Sequence, residues 1–85
     1  MAFSIEFTPS ALRKFRKLAK EIQRRISNAI DALAENPFPP GVKKLIAEQN
    51  VYRVRVGDYR ILYQVEVARL VVLVLKVGHR REIYR

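Results

Sequence analysis

The sequence predicts an α+β fold in which a strand and a helical hairpin precede a three-stranded antiparallel meander, in the order βααβββ. Three observations carry that expectation. Apolar residues alternate with period two at the N-terminus and then recur at helical spacing as far as a proline-rich break. Beyond the break lie three β-rich segments, the first two joined by Gly57-Asp58, a two-residue signature of a tight hairpin with glycine at positive φ.

Phe3-Ser4-Ile5-Glu6-Phe7 alternates as a strand with one buried face does. Thr8-Pro9 supplies an N-cap hydroxyl and then a proline at the first helical position, where its missing N–H costs nothing. Leu12, Phe15 and Leu18 form the apolar stripe of a first helix, with Arg13, Lys14, Arg16, Lys17 and Lys20 on its other faces. Ile22, Ile26, Ile30 and Leu33 form the stripe of a second helix, with Arg24 and Arg25 outside. Asn36-Pro37-Phe38-Pro39-Pro40-Gly41 ends the hairpin, and Val42 to Asn50 is a connector without an assignable pattern. Val51 to Val56 and Tyr59 to Val65 form the hairpin strands. Leu70 to Val77, β-branched or Leu almost throughout, is expected to be the central strand, covered on both faces. Gly78 is expected to let the chain turn after it.

With 85 residues and no repeat or linker, one domain spanning 1–85 is expected. The absence of cysteine excludes disulfides and thiolate zinc sites, and the N-terminus lacks the basic and apolar regions of a signal peptide. The longest apolar run, Leu70 to Leu75, is too short to span a membrane, so a cytoplasmic location is expected. Seventeen Lys and Arg against eight Asp and Glu give a formal charge of +9, which points to a polyanionic partner. Eleven of the seventeen are Arg, whose planar fork suits phosphate and base contacts, favouring nucleic acid over anionic membrane.

A two-residue turn fixes the hairpin pairing as Val56 with Tyr59, Arg55 with Arg60, Val54 with Ile61 and Arg53 with Leu62. Tyr52, Val54, Val56, Tyr59, Ile61 and Tyr63 then face the helices, while Arg53, Arg55 and Arg60 share the other face. These arginines read either as solvated residues or as an anion site. The closing Gly78-His79-Arg80-Arg81-Glu82-Ile83-Tyr84-Arg85 tips the balance to the second, because an aromatic among guanidinium groups can stack a base while its phosphates are held. The lone His79 reads as a surface or capping residue sooner than as a catalyst, and Lys76 either snorkels at the sheet edge or supplies a base. No carboxylate pair, His cluster, glycine-rich phosphate loop or nucleophile triad is present. Catalysis on this chain is therefore expected to use cations, with neither metal nor cofactor.

The order of elements, the segments Val51 to Val56 and Tyr59 to Val65, and the closing Gly78 to Tyr84 together resemble the RelE/ParE superfamily of toxins. The resemblance covers nearly the whole chain. It implies a RelE-like fold and a type II toxin that cuts messenger RNA in the ribosomal A site by metal-free attack of the 2′-hydroxyl, leaving a 2′,3′-cyclic phosphate. Carried over by position, Arg53 and Arg55 match basic residues of the second strand, Arg60 an arginine that stabilises phosphate charge, Arg80 a general acid or charge stabiliser, and Tyr84 a base-stacking tyrosine. Because family members often carry Lys at the first two positions, Arg53 and Arg55 leave the general base unidentified; guanidinium holds its proton too tightly. Arg13, Lys14, Lys17, Lys20, Arg24, Lys76, His79, Arg81 and Arg85 are expected RNA contacts. The implied partners are messenger RNA, the 30S A site with its 16S rRNA, and a protein antitoxin, with a toxin–antitoxin heterotetramer as the assembly considered. Longer members carry a helix after the position of Tyr84, so control by masking the basic face is expected here. Two other readings share the fold: a ParE-like inhibitor of DNA gyrase without nuclease activity, and a nucleic-acid-binding module that does not cut.

Overall fold

The computed structural model describes residues 2–45 and 49–83. Strand β1 (Ser4–Phe7) leads into helices α1 (Pro9–Arg16) and α2 (Lys20–Glu35), then β2 (Lys43–Lys44), β3 (Val51–Val56), β4 (Tyr59–Glu66), β5 (Val71–His79) and the single-turn helix α3 (Arg80–Ile83). The strands form one sheet in the order β1-β5-β4-β3-β2. The βααβββ order is as the sequence predicts, with three additions: β2, a short 3-10 turn at Val67–Arg69, and α3.

Helix α1 starts as expected. Thr8 Oγ1 accepts from the Ala11 amide at 3.2 Å, with Pro9 at the first helical position. The same hydroxyl donates to the Leu75 carbonyl at 3.2 Å, fixing the helix start against β5. At the other end, Gln23 Nε2 donates to the Arg16 and Leu18 carbonyls at 3.0 and 2.9 Å, so a side chain of α2 satisfies acceptors at the end of α1. The two helices cover one face of the sheet: Ala11, Ile26, Ile30 and Leu33 pack with Ile61, Tyr63, Val65, Val72, Val74 and Val77 in a single apolar cluster. Tyr52, Val54, Val56 and Tyr59 join it from the same face.

The sheet departs from expectation in three ways. It is mixed, because β1 pairs parallel to β5, with Ser4 opposite Val71 and Phe7 opposite Val74. A chain that leaves β1 through two helices returns long enough to permit this, as a tight turn would not. Second, β5 is the neighbour of β1 and not the central strand; β4 holds the middle position. β5 is also open on its second face, where Lys76 is exposed and Leu73 half-buried. Third, Gly78 is not the turn. It lies within β5 opposite Arg60, and the chain bends only at Arg80, where α3 begins.

A bulge explains why β5 does not alternate. Tyr63 is opposite Val74 but Leu62 is opposite Lys76, so Leu75 has no partner. The extra residue shifts parity by one. Val72 and Val74 before it, and Val77 after it, all face the helices, while Lys76 is turned to the open face; without the bulge Lys76 would enter the core.

Tyr63, fully buried, donates its hydroxyl to the Pro37 carbonyl at 2.6 Å and so ties the segment after α2 to the middle strand. Burial, with a smaller contribution from Tyr52, raises its phenol above the ordinary value of 10.0. The folded state thus favours the neutral phenol. Its contribution to stability is complete below about pH 10, where the unfolded chain also keeps the proton, and is lost as pH rises further. Tyr63→Phe leaves the Pro37 carbonyl without its donor and is expected to cost about 1–2 kcal/mol at neutral pH in urea unfolding. Above about pH 10 the variant should lose stability with pH less steeply than the wild type does. Equal slopes would assign the alkaline loss to other groups.

Candidate nucleic-acid interface

The hairpin register is the one the turn length predicts: Arg53 opposite Leu62, Arg55 opposite Arg60, Val56 opposite Tyr59. Residues directly opposite one another share a face, so Arg53, Arg55 and Arg60 lie together on the face away from α1 and α2. Lys43 of β2 is opposite Arg53, and Lys76 of β5 opposite Leu62. Lys43, Arg53, Leu62 and Lys76 therefore form one row across four strands, three of them cationic. Gly41, Lys43, Arg53, Arg55 and Arg60 line a depression of about 150 Å³. A larger groove of about 260 Å³ runs beside the part of β5 that β1 leaves uncovered, between Ala11 and Lys14 of α1 and Ile83 of α3. Its lining is mainly apolar; the smaller depression, walled by four cations, is the one suited to a phosphate.

Arg60 donates from Nη1 to the carbonyls of Gly57 and Tyr59, at 3.3 and 3.1 Å, which holds its guanidinium against the hairpin turn. Its charge still faces that of Arg55 across the strand pair, an arrangement unfavourable by a few tenths to about 1 kcal/mol until an anion lies between them. Among the described residues no carboxylate lines the depression; Asp58 is in the adjoining turn, and Glu82 of α3 lies against Gly78, opposite Arg60. Glu66 is six residues along β4 from Arg60, about 20 Å by strand geometry, and pairs with Arg69 at 2.9 Å. With four cations in its lining and no carboxylate there among the described residues, the depression is positive.

Helix α3 brings Arg80 to the same end, because the Arg80 amide donates to the Asp58 carbonyl at 2.8 Å. The rest of α3 is fixed by Glu82, which accepts from Lys14 Nζ and, at 3.2 Å, from the His79 amide. Those bonds, that of Lys14 being the stronger cause, hold the Glu82 carboxyl below the usual carboxylate range.

The other expected contacts are distributed differently. Arg13, Lys17, Lys20 and Arg24 are exposed on the helical layer, across the sheet from the arginines. Lys14 spends its charge on Glu82. His79 lies on the helix side of β5, its ring edge-on to Tyr59 at 5.6 Å and its Nδ1 accepting from the Arg81 amide at 3.3 Å, so it is a capping residue. Arg81 is exposed on α3. Tyr84 and Arg85 lie outside the described residues. Lys43 was not expected, because a two-residue strand has no periodicity to read. Among the described residues no three His, Asp or Glu side chains gather into a metal-binding group, and no helix is long and apolar enough to cross a membrane.

The family model described as the ParE toxin of type II toxin–antitoxin systems, parDE, matches residues 5–84. The mRNA interferase toxin RelE of Escherichia coli is 30% identical over 88 residues, which span 99% of this chain and 92% of that protein. Toxin RelG of Mycobacterium tuberculosis is 30% identical over 86 residues, spanning 100% of this chain and 99% of that one. Among solved structures, a chain of the intact E. coli RelBE toxin–antitoxin complex superimposes with a TM-score of 0.83 at 28% identity, covering 92% of this chain and 96% of that chain.

The tether at α3 can be tested locally. Both partners of the Lys14–Glu82 pair are substantially exposed, so its loss should hardly move global stability. Glu82→Gln is expected to speed amide exchange at His79 several-fold while leaving the melting temperature nearly unchanged. In the wild type the tether is intact above the ordinary carboxylate range and is lost as pH falls through the lowered value of Glu82. Unchanged exchange at His79 would remove Glu82 from the positioning of Arg80.

Proposed function

The chain belongs to the ParE toxin family of type II toxin–antitoxin systems and is RelE-like within that superfamily, and from this membership we propose that it is an endoribonuclease that cuts messenger RNA in the ribosomal A site. The observation that carries the reading is the cationic end of the open sheet face, where Arg53, Arg55 and Arg60 line one phosphate-sized depression and Arg80 is tied to the adjoining turn. The name mRNA interferase borne by the E. coli relative supports the same activity.

The reaction is metal-free. The 2′-hydroxyl attacks the adjacent phosphorus, the bond to the 5′-oxygen breaks, and a 2′,3′-cyclic phosphate and a 5′-hydroxyl result. Arg53, Arg55, Arg60 and Arg80 stabilise the charge that accumulates on the pentacoordinate phosphate. Tyr84 stacks a base. The ribosome holds the RNA in line, lowering the entropic part of the barrier, and the exposed bases of the helical layer contact 16S rRNA. Activity on the ribosome sets the cytoplasm as the place of action. The RelE–RelB complexes among the solved relatives support a cognate antitoxin as the resident partner. In this reading it joins the toxin in a heterotetramer and masks the basic face.

A second reading has an observation of its own: the matching family model is described as a ParE toxin, and a ParE-like chain acts on DNA gyrase without cutting RNA. Messenger 5′-ends mapped in a translation extract distinguish the two. Cuts within A-site codons are expected, dependent on ribosomes and reduced about 10²–10³-fold by Arg60→Ala or Arg80→Ala. Intact messenger together with inhibited gyrase supercoiling would select the second reading, and RNA binding without any cut would leave a binding module.

A further inference from the structure

In-line cleavage needs a group that accepts the 2′-hydroxyl proton, and the three arginines of the depression cannot supply one, since guanidinium stays protonated far above neutral pH. Lysine releases its proton about two or more pH units below arginine. Among the described residues the depression is lined by one lysine, Lys43. We infer that Lys43 is the proton acceptor of the cleavage reaction, an assignment that rests on the function proposed above.

The register selects this residue from its neighbours. Lys43 is opposite Arg53 and shares its face, whereas Lys44, one residue on, is opposite Tyr52 on the helix-facing side. Lys76 lies in the same row but three strands from Lys43, and lines the groove beside α1 and α3 instead of the depression. The imidazole of His79 is on the helix side, occupied by Tyr59 and the Arg81 amide. Asp58 is in the hairpin turn and does not line the depression. Lys43 is exposed on β2, the last strand of the sheet, so its flexible stem can reach a ribose beside a phosphate held by Arg53, Arg55 and Arg60.

The step balances without another reagent. The neutral Lys43 amine takes the 2′-hydroxyl proton as the bond from the 2′-oxygen to phosphorus forms and the bond from phosphorus to the 5′-oxygen breaks. The leaving oxygen takes a proton from water, and the hydroxide so formed returns the Lys43 ammonium to the amine.

Single-turnover cleavage on messenger-programmed ribosomes, measured from pH 6.5 to 9, tests the assignment with the full chain. Lys43→Arg keeps the charge and is expected to bind ribosomes as the wild type does, yet to cut about 10²–10⁴-fold more slowly and without the wild type's rise of rate with pH. Lys43→Ala should be equally slow and be accelerated by added primary amines, more so by the more basic ones. Lys44→Arg should cut at the wild-type rate. A Lys43→Arg protein that cuts within about threefold of wild type, with the same pH dependence, overturns the inference and reduces Lys43 to a fixed charge. Failure of amines to accelerate Lys43→Ala overturns it as well. If the wild type leaves the messenger intact, the functional reading itself is rejected and the role of Lys43 with it.

Discussion

Two residues, Gly57 and Asp58, decide on which side of the sheet every side chain from Val51 to Glu66 is found. A two-residue loop admits one register, and a slip by a single residue would exchange the two faces, burying three arginines and exposing Ile61 and Tyr63. Gly57 makes the turn at a φ of 60°, where a side chain is strained. A Cβ there would also lie 2.7 Å from Nη2 of Arg25, which reaches across from α2 to the turn. The tip is held from further directions by the Arg60 guanidinium on the Gly57 carbonyl and by the Arg80 amide on the Asp58 carbonyl. The turn that sets the register is thus also where α2, β4 and α3 meet.

The bulge at Leu75 does for β5 what the turn does for the hairpin. Strict alternation would set the burial of Val72 and Val74 against that of Val77 and drive Lys76 into the core; one unpaired residue lets all three valines be buried and leaves Lys76 on the side of the arginines. The extra residue is also used, since its carbonyl receives the Thr8 hydroxyl that caps α1. Core and functional face are therefore coupled through one irregularity. The helices cover the apolar face, leaving the other to carry the cations.

The legible parts of this molecule were those governed by a period or by a turn rule. The strand that follows Phe3 and both helical stripes follow from spacing, the helix start at Thr8 from its cap residues, and the pairing of Arg55 with Arg60 from the two-residue turn. The illegible parts lack a period. Lys43 lies in a strand of two residues whose pairing with β3 is a long-range contact, so nothing local marks its face. The parity change in β5 is invisible in a run where nearly every residue is apolar. The parallel pairing of β1 also leaves no local trace, because its alternation is the same whichever way its neighbour runs. Net charge carries no direction: Arg13, Lys17, Lys20 and Arg24 add to it as the arginines of the hairpin do, although the sheet separates the two sets. Lys14 is counted with them as well, although Glu82 occupies it.

The site's preference for arginine over lysine has a physical consequence. Guanidinium groups remain charged across the accessible pH range, so the stabilisation that Arg53, Arg55 and Arg60 offer a phosphate does not vary with pH. What they cannot do is exchange protons, and proton transfer must then be assigned to a different side chain or to the surroundings. On the assignment proposed for Lys43, such a face separates electrostatic stabilisation from acid–base chemistry, placing the first on β3 and β4 and the second at the margin, where β2 is only two residues long. It also remains repulsive until an anion arrives, because the opposed Arg55 and Arg60 have no carboxylate between them among the described residues. On the proposed function, the charge that stabilises a transition state also favours any anionic surface of matching shape, so one feature serves both the activity of such a face and its blocking.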